Sequence, residues 1–111
     1  MDRFVHDQNL TRYIDLHETV TDPTKLAQIE KLLIEEEDRF GSVSERLNEA
    51  DRLIHDGHGR VRRHRALVAH LDAIGHDTKR AGAVLASMSR LLEIMYQYRQ
   101  TLSDGLDRAD I

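Results

Sequence analysis

Histidines are the residues of this chain best suited to chemistry, because it has seven of them in 111 residues and no cysteine. On a helix, Asp51, His55 and His58 would share one face, and imidazole with carboxylate suits zinc or non-haem iron. The Glu-x-x-His pair of di-iron bundles does not occur. These three residues fall outside the apolar seam defined below. We therefore interpret them as surface residues and keep them only as weak candidate metal ligands.

His64 differs from the other histidines because it occupies a core-type position in an apolar repeat. A polar residue at such a position can fix helix register or oligomeric state, and a histidine there would make association sensitive to pH. The simpler alternative is a ring packed at the rim of the core, whose nitrogens reach water or a carboxylate. We favour this second interpretation.

A helical bundle with an accessible histidine also suggests phosphotransfer. Histidine-phosphotransfer domains resemble one another in a histidine followed closely by lysine and glycine. That pair follows none of His55, His58, His64 and His70, so the sequence argues against phosphotransfer.

The basic block Arg60, Arg62, Arg63 and Arg65 would spread around a helix, and no aromatic side chains interleave with it for base stacking. With a net charge of -4 and a pI near 5.9, the chain is not expected to bind nucleic acid. The acidic run at residues 35–38 could pair with the block.

No catalytic triad, phosphate loop or paired-carboxylate site is recognisable, so we predict a protein that is not an enzyme and needs no cofactor.

Composition favours helices, since 40% of the residues are hydrophobic, 32% charged and only 5% aromatic, with a single proline. The lack of cysteine excludes disulfides and thiolate sites and is compatible with a reducing compartment. No apolar run approaches the roughly 18 residues of a membrane span, and the first residues do not resemble a signal peptide. We expect a cytoplasmic protein without a membrane partner.

Two unbroken seven-residue repeats dominate the chain. They place apolar side chains along one seam of each of two helices. The first repeat contains Val43, Leu47, Ala50, Ile54, Gly57, Val61, His64, Val68 and Leu71, and the second contains Ala81, Val84, Met88, Leu91, Met95, Tyr98 and Leu102. Leu53, Leu67, Ile74, Leu85 and Leu92 flank the seam and widen the apolar stripe.

Start and stop signals divide the chain into four helices, at about 7–20, 23–40, 43–74 and 78–104. Asp7 or Asn9 could cap the first helix, which holds Leu10, Tyr13, Ile14 and His17 on one side. The later signals are Asp22-Pro23, then Gly41 with the capping box Ser42 to Glu45, then Gly75 to Thr78. The alternative is a break in the third helix at Gly57–Gly59, because each glycine costs about 1 kcal/mol inside a helix.

The predicted fold is all-α and forms one domain over residues 1–111. A short helical hairpin (1–41) packs on a long coiled-coil-like hairpin (42–111). Folding the long hairpin about His76 predicts a register in which Gly57 meets Tyr98 and His64 meets Leu91 and Leu92. The paired apolar residues are Leu71 with Leu85, Val68 with Met88, Val61 with Met95, and Ile54 with Leu102.

Helix lengths predict how the protein assembles. Arms of about 45 Å can be covered only halfway by helices of about 20 to 27 Å, which leaves an apolar stripe that needs a partner. A homodimer is the simplest solution, and a monomeric three-helix arrangement is the alternative. The leading hypothesis is a protein-interaction or scaffold protein that self-associates and binds another protein. The alternative is a small regulatory module for phosphotransfer, metal response or nucleic-acid binding.

Two patterns of residues carry a resemblance to a known group of proteins. One runs through Val61, His64-Arg65, Leu67-Val68, Leu71, Gly75-His76-Asp77-Thr78, Ala83, Leu85-Ala86, Leu92, Arg99 and Leu102. The other runs through Thr21-Asp22-Pro23-Thr24-Lys25, Leu32-Leu33 and Glu35-Glu36-Glu37. Together they resemble small uncharacterised helical proteins of α-proteobacteria such as the rhizobia. That group has no assigned activity, so the resemblance implies a helical fold and no catalytic residue.

Overall fold

The computed structural model describes the backbone of residues 3–39 and 41–109 and the side chains of this range up to residue 105. It contains four helices, α1 (Arg3–Thr19), α2 (Pro23–Asp38), α3 (Val43–Ala73) and α4 (Lys79–Ala109), and these residues form no strand. The helices form two hairpins, as predicted. Phe40, the predicted last residue of α2, lies outside the described residues.

Local capping explains where the helices begin. The Asp22 carboxylate accepts the Thr24 N–H at 3.2 Å, and Pro23 occupies the first turn of α2, where no N–H is needed. The Ser42 hydroxyl accepts the Glu45 N–H at 3.2 Å and donates to the Glu45 carboxylate. These two starts confirm the sequence signals. The predicted start of α1 is wrong, because α1 begins at Arg3 and contains Asp7 and Asn9 in its interior.

The turn between α3 and α4 follows from Gly75, whose φ of 77° suits a residue without Cβ. The His76 N–H donates to the Leu71 carbonyl at 2.9 Å and the Gly75 N–H to that of Asp72 at 3.1 Å, which is the Schellman pattern. The Asp77 carboxylate then caps α4 by accepting the Lys79 N–H at 2.9 Å. α3 passes through Gly57 without a break, and α4 extends beyond its predicted end to Ala109.

The N-terminal hairpin packs beside the first half of α3 and the second half of α4. Its position along α3 is marked by the contacts of His6 with Glu49 and of Glu18 with Arg60. The shared core is apolar and consists of Leu10, Ile14, Leu33, Leu53, Ile54, Leu91 and Met95. This four-helix half of a molecule 56 Å long contains every buried residue among those described.

The other half contains only α3 and α4. None of residues 62–90, which we call the distal hairpin, is buried, although its seam positions are half-buried. Leu67 and Ile74 are 44% and 53% exposed. The N-terminal hairpin thus covers about half of the long hairpin, as the helix lengths predict.

The predicted register of the long hairpin is wrong, because Gly57 packs against Leu92 and not against Tyr98. A Cβ on Gly57 would lie 3.0 Å from Leu92, whereas Tyr98 lies against the end of α2 and donates its hydroxyl to Asp38 at 3.1 Å. His64 contacts the backbone of Ala81. A strict heptad seam repeats every seven residues, so the pattern alone does not distinguish registers that differ by one repeat. Gly57 still packs against a larger side chain, as close packing between helices requires, but that side chain belongs to Leu92 and not to Tyr98.

Candidate functional site

The weak metal candidates of the sequence do not form a cluster in the structure. Asp51 receives a short hydrogen bond from Arg99, and the His58 Nε2 lies 2.6 Å from the Tyr96 hydroxyl. His55 is exposed. Three ligand atoms come together elsewhere: within the described residues, those of His6, Asp7 and Glu49 lie within 4.8 Å of one another.

The predicted seam residues all lie inside the long hairpin, and none of them is exposed. The buried ones are Ala50, Ile54, Val61, Leu91, Met95 and Leu102, and the half-buried ones are Val43, Leu47, Gly57, His64, Val68, Leu71, Ala81, Val84, Met88 and Tyr98. Leu85 and Leu92, which flank the seam, are also half-buried. His64 packs at the rim, where its Nε2 donates to the Ala81 carbonyl at 3.0 Å. The polar partner of the His64 ring is thus a backbone carbonyl of the neighbouring helix.

The acidic run at 35–38 does not pair with the basic block. Arg60 instead contacts Glu18 at 2.6 Å and Asp15 at 3.6 Å on α1. Glu36 and Glu37 face the interior, where they are 3% and 2% exposed. Their burial is unexpected from the sequence, and it creates the most unusual feature of the molecule.

His6 lies at the centre of this feature and is completely buried. Its Nδ1 is 3.2 Å from Glu36 Oε1, and its Nε2 is 2.9 Å from Glu49 Oε1 and 3.8 Å from Glu37 Oε1. The Asn9 amide also donates to Glu36 Oε1, at 3.3 Å. Three helices therefore bring three buried carboxylates around one imidazole, and we call these four residues the His6 cluster.

The charges of the His6 cluster do not balance. Its three carboxylates carry three negative charges when ionised. The imidazole can donate hydrogen bonds to carboxylates on both sides only when both ring nitrogens carry a proton, as in the imidazolium. Arg52, which is half-exposed, approaches Glu49 at 3.5 Å. One negative charge is left over, and neither carboxylate oxygen of Glu37 has a hydrogen-bond partner. Burial, followed by the neighbouring charge of Glu49, raises the pKa of Glu37 from its usual 4.5 to about 8.

A second buried group, the His17 cluster, consists of His17, Glu30 and Arg90. The His17 Nε2 lies 2.9 Å from Glu30 Oε2, and Arg90 donates to Glu30 Oε1 at 3.0 Å. One carboxylate is matched here by one guanidinium, so the imidazole can remain neutral and donate through Nε2. The His17 Nδ1 is buried without a hydrogen-bond partner.

A cavity of about 270 Å³ lies between α1 and the long hairpin, and His17 of the His17 cluster is among the residues that line it. Its apolar wall includes Leu10 and Leu91, and its polar rim includes Asp7, His17 and Arg52. The Asp7 Oδ1 is buried without a hydrogen-bond partner, although its side chain is 48% exposed. Asp7 thus stands where the cavity approaches the His6 cluster.

Sequence reasoning missed the His6 cluster because it treated charged residues as solvated. The signal was present: His6, Leu10, Ile14 and His17 follow one another at helical spacing, so they share the buried face of α1. On α2, Glu30 and Glu37 flank the buried Leu33 in the same way. Polar residues inside an apolar stripe are the pattern to look for.

Comparisons with known proteins add no assignment. No protein-family model, no curated protein and no solved structure matches the chain. The described helices include none whose length and apolar character would allow it to cross a membrane. Fold and site together define an all-α bundle with a polar centre in its four-helix half and an uncovered two-helix extension.

Proposed function

We propose that the chain is a non-enzymatic helical interaction protein that acts in the cytoplasm and self-associates through its distal hairpin. The observation that carries the proposal is the lack of any buried residue between 62 and 90, in a segment whose seam is apolar. Two helices alone cannot enclose such a seam, and apolar surface left on a monomer marks an interaction site. A two-fold dimer would supply the missing helices.

Charge favours a second copy of the chain as the partner. Residues 62–90 contain six basic and two acidic side chains, a net charge of +4. The rest of the chain contains ten basic and eighteen acidic side chains, a net charge of −8. An antiparallel pair would place the basic distal hairpin of each copy near the acidic half of the other.

Leu67→Gln tests this proposal, with Leu32→Gln as its matched control. The two leucines are equally exposed, at 44% and 43%, but Leu32 belongs to α2 and not to the distal hairpin. We expect light scattering after size exclusion to give a dimer for the wild type and for Leu32→Gln, and a shift to monomer for Leu67→Gln. A wild-type monomer at every concentration, or equal behaviour of the two variants, would contradict self-association.

The alternative proposal is a small regulatory module. Of its three forms, metal response has a specific observation in its favour, which is the buried His6 cluster. Phosphotransfer lacks the lysine-glycine pair, and the basic residues of the distal hairpin have no aromatic side chains among them for nucleic-acid stacking.

A further inference from the structure

We propose that the His6 cluster binds one divalent transition-metal ion, with His6, Glu37 and Glu49 as ligands and Asp7 as a fourth ligand from the cavity side. This inference does not depend on self-association. It concerns the four-helix half of the molecule, whereas the interaction surface lies in the distal hairpin.

The geometry around His6 has the form of a metal-ligating histidine. Such a histidine donates one ring N–H to a carboxylate, which fixes the ring and leaves the other nitrogen for the metal. Glu36 accepts from His6 Nδ1 at 3.2 Å and is itself held by Asn9. The His6 Nε2 then faces the carboxylate oxygens of Glu49 and Glu37.

Two pairs of donor atoms have separations close to those that a metal ion requires. Ligand atoms that each lie about 2.1 Å from one ion are separated by about 3 to 3.5 Å. The distances from His6 Nε2 are 2.9 Å to Glu49 Oε1 and 3.8 Å to Glu37 Oε1. Small side-chain rotations would bring both carboxylates to an ion between them.

Glu37 provides the independent observation. It is 2% exposed, both of its carboxylate oxygens lack a hydrogen-bond partner, and it is directed at His6 and Glu49. A buried carboxylate without a hydrogen-bond partner is stabilised by holding a proton or by meeting a cation. The proton would bridge Glu37 to Glu49, and the metal would take its place.

The donor set indicates which ions the site would take. It offers one imidazole with two or three carboxylates, and such a set suits zinc, iron(II) and manganese(II).

Calorimetric titration of the chelator-treated full chain with zinc and, separately, manganese at pH 6.5 tests the proposal. We expect one ion per chain and tighter binding of zinc than of manganese. No binding of either metal by the wild type would overturn the proposal.

Four variants locate the site. We expect His6→Gln and Glu49→Gln to weaken zinc binding at least about 100-fold, and Glu36→Gln, which only orients the ring, about 10- to 100-fold. His55→Gln, at a surface histidine, should bind as the wild type does. Loss of binding in His55→Gln with retention in His6→Gln would overturn the proposal. Circular dichroism of each metal-free variant identifies any that fail to fold.

Glu37→Gln tests metal binding by the His6 cluster even if the His6 variant does not fold. The amide has the shape of the acid and removes the surplus charge, so this variant should fold at least as well as the wild type. We expect its zinc affinity to fall at least about 10-fold. Unchanged zinc affinity would overturn the proposal.

Discussion

The His6 and His17 clusters are built from the same residue types and differ in charge balance. In the His17 cluster one buried carboxylate is shared between an imidazole and Arg90. In the His6 cluster three buried carboxylates surround one imidazole, and the half-exposed Arg52 approaches one of them, that of Glu49. In the first arrangement the charges of the carboxylate and the guanidinium balance. The second has more acceptors than donors, which is the condition for binding a proton or a metal ion.

The comparison also shows why burial alone does not identify a functional site. Both histidines are 1% exposed or less, and both hold helices of the N-terminal hairpin in place. A buried pair that is balanced and hydrogen-bonded contributes little net stability but is costly to break. What distinguishes the His6 cluster is the carboxylate of Glu37, which has no hydrogen-bond partner.

The largest expected effect is that of His6→Ala. It removes the imidazole that contacts three buried carboxylates, so we expect a loss of about 3 to 5 kcal/mol in the free energy of unfolding. His17→Ala should cost less, about 1 to 3 kcal/mol, because Glu30 keeps Arg90. Urea denaturation of both variants in the presence of chelator measures the difference. Equal losses would mean that the two clusters are equivalent.

Replacing one glutamate by glutamine in each cluster should have opposite effects. Glu30→Gln weakens two charge-assisted hydrogen bonds, and we expect it to destabilise the protein by about 1.5 to 3 kcal/mol. Glu37→Gln removes a carboxyl that is costly to ionise, so at pH 8 it should stabilise the metal-free protein by about 1 to 3 kcal/mol. Chemical denaturation at pH 8 gives both values. Destabilisation by both substitutions would remove the distinction between the clusters.

The smallest expected effect is that of Arg90→Met, which would make the His17 cluster resemble the His6 cluster. Methionine keeps most of the apolar stem and removes the charge that balances Glu30. Because the Arg90 side chain is 60% exposed, we expect a loss of only about 1 kcal/mol at pH 8. Thermal unfolding at pH 8 measures this loss, and a loss as large as that of Glu30→Gln would contradict it.

The sequence predicts the fold well because its signals are local. Asp22-Pro23, Ser42 with Glu45, and Gly75 with Asp77 act within one turn of the helix, and the structure confirms all of them. Register and site depend on contacts between helices. The heptad seam repeats every seven residues, so it left the pairing of Gly57 open by one repeat.

The polar centre could be predicted only in part. The helical spacing of His6, Leu10, Ile14 and His17 shows that both histidines share the apolar face of α1. Nothing local to α2 shows that Glu36 and Glu37 meet His6, because that depends on how three helices are arranged. The cluster therefore required the structure, whereas the candidates at Asp51, His55 and His58 followed from spacing within a single helix.

The surplus charge of the His6 cluster is tested most directly by the free energy of unfolding of the metal-free wild type and Glu37→Gln between pH 5 and 8.5. The pKa of Glu37 is about 8 in the folded protein and near 4.5 when unfolded, so the folded state holds a proton that the unfolded state has lost. The stabilisation from that proton is complete below about pH 4.5 and is lost as the pH rises to about 8. We therefore expect the wild type to lose stability relative to Glu37→Gln by up to about 1.4 kcal/mol per pH unit across this window. Two parallel curves, or a wild type that gains stability relative to the variant as the pH rises, would contradict the account.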